Sequence, residues 1–311
     1  MKNTGAGGFF KLAAFFIAWF GGQGFASAQV DDGAHLIMPD RFDRPMVNTV
    51  VNGMGPFPFI IDTGASKSVI YRSLTALTRM SAVPNRSRRI ITATGYKRVL
   101  VYPVTDFYVL GRTLQVDETV ALPDIIGSDA KGLIGVDMLA GHTLFMDLKN
   151  GEANLELPTP EGPGEGWVMV QGRPVAYGSL ALEVNIGGLD VPVIVDTGAS
   201  DTVINTAGSE AVGRSADGIR RETIRASISG GREMIFTALR VPEFNVGAFQ
   251  HKNMRLVVSD VPVFTLLGAK DVPAIILGMD LLGEQPFAID FKNWRLYLKQ
   301  DNADDGTAQA G

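Results

Sequence analysis

Short apolar runs alternate with polar turn residues along this chain, and two of the runs lead into the same five residues. Phe57–Ile61 precedes Asp62–Ser66, and Val191–Val195 precedes Asp196–Ser200; both pentads are Asp-Thr-Gly-Ala-Ser. Two β-branched residues follow each pentad after a short polar step. A short apolar run bounded by turn residues predicts a buried strand. Each pattern therefore predicts a strand, a tight turn with an aspartate, and a second strand.

Four features recur in the same order in both halves: an apolar run ending near glycines, the pentad, a hairpin with a central glycine, and an apolar Gly-containing segment followed by an acid-bearing strand. The run and the hairpin are Val47–Asn52 and Ile90–Val99 in the first half and Leu180–Ile186 and Ile224–Glu233 in the second. The Gly-containing segment and its acid-bearing strand are Gly132–Leu139 and Leu144–Asn150 in the first half and Ile275–Leu282 and Phe287–Asn293 in the second. Arg72–Met80 predicts a short helix or an irregular segment. The repetition indicates an internal duplication of one β-rich unit.

The duplication predicts an all-β protein with two pseudo-symmetric lobes. The predicted division is a signal peptide at 1–28, a first lobe at 29–157, a Pro/Gly-rich linker at 158–166, a second lobe at 167–298 and a disordered polar tail at 299–311. The lobes are long enough to bury a core without disulfides, and the chain contains no cysteine.

The first 28 residues have the composition of a secretory signal. Lys2 and Lys11 precede the apolar run Leu12–Phe20, and Ala26–Ala28 supplies small residues for cleavage. The alternative is an uncleaved anchor, although the run is shorter than the roughly 20 residues that span a bilayer. We expect export to a bacterial periplasm, with no membrane span after the signal is removed.

Charge and spacing argue against several other functions. The formal net charge is −5, and it becomes −7 without residues 1–28, which contain two lysines and no acid. There is no basic patch, so no nucleic-acid partner is expected. His35, His142 and His251 lack metal-ligand spacing, so neither a metal nor another cofactor is predicted. Ser128–Lys131 matches the S-x-x-K pattern of serine acylases by chance, because no companion motif accompanies it.

Two Asp-Thr-Gly-Ala-Ser copies, each with a glycine-tipped hairpin and an apolar-apolar-Gly segment, resemble the aspartic proteases. The Ala of the pentad and the Ile-Leu-Gly-type segment are most similar to the retropepsin-like branch, over roughly residues 36–298. Retroviral members carry one copy and dimerise, whereas this chain carries two. The resemblance therefore implies a bacterial, exported, single-chain form, with two six-to-seven-stranded retropepsin- or pepsin-like β lobes and a cleft between them.

Asp62 and Asp196 are the predicted catalytic pair. Two carboxylates that share a water cannot both ionise easily, so the pair holds one proton. The ionised member can take a proton from the water while the protonated member donates to the substrate carbonyl. The acid and base roles stay unassigned, because the proton belongs to the pair.

The residues around the pair are predicted to support it. The resemblance implies that the two threonine hydroxyls bond to the opposite turn, and the glycine N–H groups are expected to face the carboxylates. The two serines either donate to the aspartates or only cap the turns. Pepsin-type enzymes carry Ser or Thr at the pentad's Ala, so the pKa values of this pair should be higher. The supporting residues are Thr63, Gly64, Ser66, Thr197, Gly198 and Ser200.

The two glycine-containing hairpins are predicted flaps that close over a peptide and exclude water. Their candidate substrate-binding residues are Gly95, Tyr96, Gly230 and Gly231. Tyr96 either contacts substrate or is an ordinary surface tyrosine. Repeated glycines and acids outside the pentads are expected to be structural: Gly135, Gly278, Asp137, Asp147, Asp280 and Asp290.

Together these features predict an aspartic-type endopeptidase that cleaves proteins or peptides and acts as a monomer, because both lobes lie in one chain. The alternative is a catalytically silent peptide-binding or assembly module on the same fold. The presence of both aspartates favours the enzyme, since a binding cleft needs no second buried carboxylate.

Overall fold

Strands dominate the part of the chain that the computed structural model describes, which comprises residues 10–12, 35–36, 38–92, 95–228 and 232–300. Most of the predicted signal, 1–28, and residues 301–311 of the predicted tail lie outside these ranges. No helix within them is long and apolar enough to cross a bilayer.

The elements of the first half run from β1 to β14. They are β1 Phe10–Leu12, β2 His35–Leu36, β3 Met38–Pro39, β4 Pro45–Val51, β5 Met54–Ile61, β6 Val69–Tyr71, α1 Arg72–Leu77, β7 Ser87–Thr92, β8 Gly95–Tyr102, β9 Asp106–Val109, β10 Arg112–Gln115, β11 Thr119–Leu122, β12 Gly132–Ile134, α2 Val136–Leu139, β13 Thr143–Asp147 and β14 Glu152–Glu156. The predicted short helix is therefore confirmed as α1.

The second half repeats the same plan with longer hairpin strands. Its elements are β15 Trp167–Gln171, β16 Arg173–Pro174, a 3₁₀ turn Ala176–Gly178, β17 Leu180–Ile186, β18 Leu189–Val195, β19 Val203–Ile204, α3 Thr206–Ser215, β20 Arg220–Ile228, β21 Arg232–Val246, β22 Phe249–Val258, α4 Pro262–Leu266, β23 Ile275–Leu277, α5 Met279–Leu282, β24 Phe287–Asp290 and β25 Arg295–Lys299.

Each half has a three-strand centre in which the aspartate turn is held. β12 lies between β5 and β6, parallel to β5 with Leu133 opposite Ile60 and antiparallel to β6. β23 lies in the same way between β18 and β19, with Ile276 opposite Ile194. β12, β23 and the last three residues of β5 and β18 are buried, in keeping with their apolar sequences. In the first half, this arrangement brings the turn after β5 beside the end of β12. In the second half, it brings the turn after β18 beside the end of β23.

The described strands form three sheets. A ten-stranded sheet of the first half runs β10-β9-β4-β5-β12-β6-β11-β8-β7, with β3 paired to β4. A nine-stranded sheet runs β1-β20-β21-β22-β19-β23-β18-β17-β16, so all but β1 belong to the second half. The expectation of six or seven strands per lobe was too low, because short edge strands and the long β20–β22 meander extend each sheet.

A third sheet joins the halves. It runs β15-β25-β24-β13-β14-β2, and its centre pairs the acid-bearing strands of the two halves, with Leu144 opposite Ile289. One apolar cluster accordingly contains buried residues of both halves. Lys299, predicted to begin the tail, instead pairs with Trp167 in this sheet. The linker 158–166 contains turns and no helix or strand.

Both predicted hairpins are present. β7 and β8 pair up to Thr92 and Gly95, and residues 93 and 94 lie outside the described residues. Gly95 therefore begins β8, with a φ of +101° that favours glycine, rather than forming the tip itself. In the second hairpin β20 pairs with β21 up to Ile228 and Arg232. Gly230 and Gly231 lie outside the described residues, and their predicted role stays a prediction.

Candidate active site

The two predicted aspartates occupy equivalent positions at the ends of central strands. The N–H of Asp62 donates to the carbonyl of Ile134 at 2.9 Å, and the N–H of Asp196 donates to the carbonyl of Leu277 at 3.0 Å. Each aspartate is therefore fixed to the end of the neighbouring parallel strand. The duplicated sequence places the two carboxylates in duplicated backbone settings.

The two threonines lock the turns to each other. Thr63 Oγ1 donates to the carbonyl of Val195 at 2.9 Å and accepts from the N–H of Thr197 at 3.0 Å. Thr197 Oγ1 donates to the carbonyl of Ile61 at 2.7 Å and accepts from the N–H of Thr63 at 3.1 Å. These four reciprocal bonds are buried, and they confirm the contact that the family resemblance implied. They hold residues 134 positions apart in sequence in one rigid unit.

The two glycines bring each carboxylate against the opposite turn. The N–H of Gly64 donates to Asp62 Oδ1 at 3.0 Å, and the N–H of Gly198 donates to Asp196 Oδ1 at 2.8 Å. A Cβ atom added to Gly64 would lie 2.7 Å from Asp196 Oδ1, and one added to Gly198 would lie 2.6 Å from Asp62 Oδ1. Any side chain at either position would displace the carboxylate of the other half. The structure therefore brings the two predicted catalytic residues together.

Burial raises the pKa of both carboxyl groups. Asp62 and Asp196 are 1% and 0% exposed. Burial and then the charge of Asp196 raise the pKa of Asp62 well above its ordinary value. Burial raises the pKa of Asp196 to about 6, although hydrogen bonds, the Gly198 N–H first among them, oppose the rise. The charge of Arg44, a residue that the sequence did not single out, lowers the pKa of both.

The supporting hydroxyls lie two residues beyond the predicted serines. Ser68 Oγ donates to Asp137 at 2.8 Å and accepts from the N–H of Gly135 at 3.0 Å. Thr202 Oγ1 makes the same two bonds, with Asp280 at 2.6 Å and the N–H of Gly278 at 3.1 Å. In each half, these bonds connect the residue two places after the pentad to the Gly-containing segment, Gly132–Leu139 or Ile275–Leu282. Their signal in the sequence was a hydroxyl residue six places after each aspartate.

Of the two roles left open for Ser200, a hydrogen bond from its hydroxyl to an aspartate is not formed within the described ranges. Its hydroxyl is buried and has no hydrogen-bond partner among the described residues. The side chain at this position packs in the turn, while the next inward-facing hydroxyl, on Thr202, makes the bonds. Ser66, the equivalent residue in the first half, is half-buried, and its supporting role stays a prediction.

These contacts predict unequal effects on stability for two serine-to-alanine changes. Ser68→Ala leaves the buried N–H of Gly135 without its partner and removes one of the two bonds that Asp137 accepts from residue 68, so it should lower the free energy of unfolding by about 1–3 kcal/mol. Ser200→Ala removes a buried, unpartnered hydroxyl and should change it by less than about 0.5 kcal/mol or increase it. Denaturant unfolding of both variants measures the difference. Equal destabilisation by the two changes would contradict the assignment.

The repeated acids and glycines outside the pentads have the structural roles that the sequence predicted. Asp147 accepts from the N–H of Asn150 at 3.1 Å, and Asp290 accepts from the N–H of Asn293 at 2.8 Å, so both close turns. Asp137 and Asp280 accept the hydroxyl bonds described above. A Cβ on Gly135 or Gly278 would lie within 3 Å of pentad backbone atoms, so both glycines permit close packing.

The hairpins expose large side chains beyond the buried centre. Tyr96 is 66% exposed, and the guanidinium of Arg89 lies 4.5 Å from the centre of its ring. Leu100 on the same hairpin and Ile235 on the second are 53% and 68% exposed. Tyr96 is thus a surface residue of the hairpin, and whether it also contacts substrate stays a prediction. No group of three His, Asp or Glu side chains in the described ranges is arranged to hold a metal.

A mostly β molecule of two lobes, each contributing one Asp-Thr-Gly turn to a common centre, has the fold and site of an aspartic protease. Residues 182–281 match the family described as "Aspartyl protease", and residues 47–141 match "gag-polyprotein putative aspartyl protease". These two ranges span more than half of the chain, and each contains one pentad. By sequence and by fold, the chain belongs to the aspartic proteases.

A solved structure supports the fold independently of close sequence similarity. The crystal structure of the aspartic proteinase from Irpex lacteus is similar with a TM-score of 0.56 and 14% identity. The similarity covers 89% of this chain and 99% of that chain. No curated protein matches this sequence.

Proposed function

We propose that this aspartic protease is an endopeptidase in which Asp62 and Asp196 together activate one water molecule. One observation carries the proposal: equivalent turns hold two buried carboxylates, and each carboxylate lies against the glycine of the opposite turn. Asp196 Oδ2 is buried and accepts no hydrogen bond from the described residues, so it can accept one from a reacting water. Such pairs are suited to proton transfer because like charges this close share a proton.

The proposed reaction needs one proton on the pair. The ionised carboxylate takes a proton from water as the water oxygen bonds to the scissile carbonyl carbon, and the protonated carboxyl donates to the carbonyl oxygen. The tetrahedral intermediate, which carries two hydroxyl groups, then collapses: the nitrogen receives a proton from the pair as the C–N bond breaks, and one hydroxyl returns its proton to the pair as its oxygen becomes the carbonyl oxygen of the carboxyl product. The pair ends with the single proton with which it began.

Exposed side chains on the two hairpins support an extended peptide as the substrate. Tyr96, Leu100 and Ile235 offer apolar surface on elements that the family resemblance assigns as flaps. Because both aspartates come from one chain, the proposed enzyme is active as a monomer. We also propose that it acts after export, in keeping with its N-terminal composition and its lack of cysteine.

Activity is expected to be highest at mildly acidic to near-neutral pH. Because the pKa of Asp196 is raised to about 6 and that of Asp62 is also raised, both carboxyls stay protonated in strong acid and neither can accept a proton from water. kcat/KM should rise as pH passes through about 6 and fall when the second proton is lost. A pH profile of peptide cleavage measures this. A maximum below pH 3 would contradict it.

Mapping of cleavage sites tests the endopeptidase proposal itself. Purified wild-type protein and its Asp196→Ala variant are incubated with a peptide library made from a digested proteome, and new termini are identified by mass spectrometry. Internal cuts that occur only with the wild type are expected. Removal of terminal residues alone would indicate an exopeptidase, and absence of cleavage would favour a silent peptide-binding module.

A further inference from the structure

A buried ion pair lies on the segment between β3 and β4. Arg44 Nη2 lies 2.5 Å from Asp40 Oδ2, and both side chains are 1% exposed. Asp40 also accepts from the N–H groups of Phe42 and Arg44 at 2.8 and 3.1 Å, and from Ser128 Oγ at 2.9 Å. Asp40 is therefore fully bonded and holds Arg44 in one position. A buried arginine fixed in this way is rare.

The strand register places this arginine beside Asp62 and Asp196, the proposed catalytic pair, which is called the dyad below. β4 and β5 are antiparallel with Met46 opposite Ile60, so two places further along Arg44 comes opposite Asp62. Its charge acts on Asp62 and on Asp196 of the other half, lowering the pKa of each. The Arg44–Asp40 pair thus has a fixed position next to both carboxylates.

The second half has no such pair at the equivalent place. β17 and β18 pair with Ala181 opposite Ile194, so the residue opposite Asp196 is Ser179. The N–H of Val175 donates to the carbonyl of Ser179 at 3.0 Å, as the N–H of Asp40 donates to that of Arg44 at 2.9 Å. Val175 and Ser179 therefore correspond to Asp40 and Arg44. The same backbone turn forms without charges, so the fold does not require the ion pair.

Tyr71 and Asp40 are two further titratable groups that interact with Arg44. Tyr71 on β6 interacts with Arg44, Asp62 and Asp124, and burial raises its pKa, so its phenol stays neutral. Burial alone would raise the pKa of Asp40, but its bonds to Arg44 and the charge of Arg44 bring it below its ordinary value. Arg44 thus interacts with the anionic Asp40 and with the two dyad carboxylates. The dyad experiences the part of the Arg44 charge that Asp40 leaves uncompensated.

We propose that Arg44, fixed by Asp40, is a positioning residue whose charge stabilises the singly ionised dyad and so extends catalysis to lower pH. The inference rests on the proposed function of Asp62 and Asp196. A buried ion pair contributes little net stability compared with a well-packed uncharged pair, and the second half uses an uncharged pair at the same turn. The charge pair therefore acts on the carboxylates opposite it.

Two variants with opposite expected shifts test the proposal. Asp40→Val/Arg44→Ser installs the residues of the second half. It should move the acid limb of the kcat/KM profile to higher pH by about 0.5–1 unit, because the carboxylates lose a nearby positive charge. Asp40→Asn removes the negative charge that partly offsets Arg44, and it should move the acid limb to lower pH. Arg44→Lys keeps the charge and should restore most of the wild-type position. Arg41→Ser is the matched control, because Arg41 stacks on the same Phe42 ring from an exposed position.

A second measurement separates this inference from the proposed function. Carbon-13 NMR titration of labelled aspartates follows the dyad carboxyls whether or not the protein cleaves peptides, and it applies to each variant that folds. Opposite shifts in the double variant and in Asp40→Asn support the role of Arg44. Shifts in the same direction, or a double variant that titrates like the wild type, overturn it. A wild type that titrates as expected but cleaves nothing contradicts only the endopeptidase proposal.

Discussion

Replacing Asp62 or Asp196 with asparagine should lower kcat/KM for peptide cleavage at least about a thousandfold, since general acid–base catalysis by a positioned group contributes up to about 10⁴-fold. Asparagine keeps the size of the side chain and can still accept the N–H of Gly64 or Gly198. It cannot take a proton from water, and it cannot carry the shared proton. Steady-state cleavage of a peptide identified in the mapping experiment measures the loss.

Stability measurements show whether the loss of activity comes from the missing carboxyl group or from unfolding of the variant. The folded-state pKa of each aspartate is raised, so its contribution to stability is present below the unfolded pKa of about 4 and is lost as pH rises through the folded value. The asparagine variants should therefore be at least as stable as the wild type at pH 8. Asp117→Asn, at an exposed aspartate, is the matched control and should keep full activity. A dyad variant that retains about a tenth of the activity would contradict the assignment.

The sequence predicted those parts of the fold that depend on local patterns. The runs before Asp62 and Asp196 are buried strands because every residue near their ends is apolar. Each pentad forms a turn in which the N–H of the glycine donates to the aspartate two places earlier. The duplication then placed the two turns in equivalent positions. Resemblance to the aspartic proteases supplied the reciprocal threonine bonds, which spacing alone does not indicate.

The parts that were missed depend on register and on side-chain direction. Arg44 lies in the polar stretch Asp40–Pro45, which has the composition of a surface turn, and only the pairing of β4 with β5 places it beside Asp62. Ser200 was named as a supporting residue because it belongs to the repeated pentad, and Thr202 was not singled out. The hydroxyl that reaches a partner belongs instead to the residue two places later. Neither outcome follows from local composition.

Thr63→Val should reduce both stability and turnover, because it removes the reciprocal bonds from one side of the lock. The N–H of Thr197 and the carbonyl of Val195 would lose their partner in a buried site. Each unsatisfied group costs about 1–3 kcal/mol, so the free energy of unfolding should fall by roughly 2–5 kcal/mol. Because a displacement of about 1 Å can cost on the order of 100-fold in rate, kcat should fall at least about tenfold. Thermal unfolding and steady-state kinetics measure the two effects.

Matched variants distinguish loss of the lock from loss of any buried hydroxyl. Thr49→Val removes a hydroxyl that is equally buried but has no partner among the described residues, so stability should be unchanged or higher. Thr63→Ser keeps the bonds and should retain most of the activity. Thr197→Val should resemble Thr63→Val, and the double variant should cost less than the sum, because the two hydroxyls belong to one network. If Thr63→Val behaves like Thr49→Val, the lock does not hold the two aspartates together.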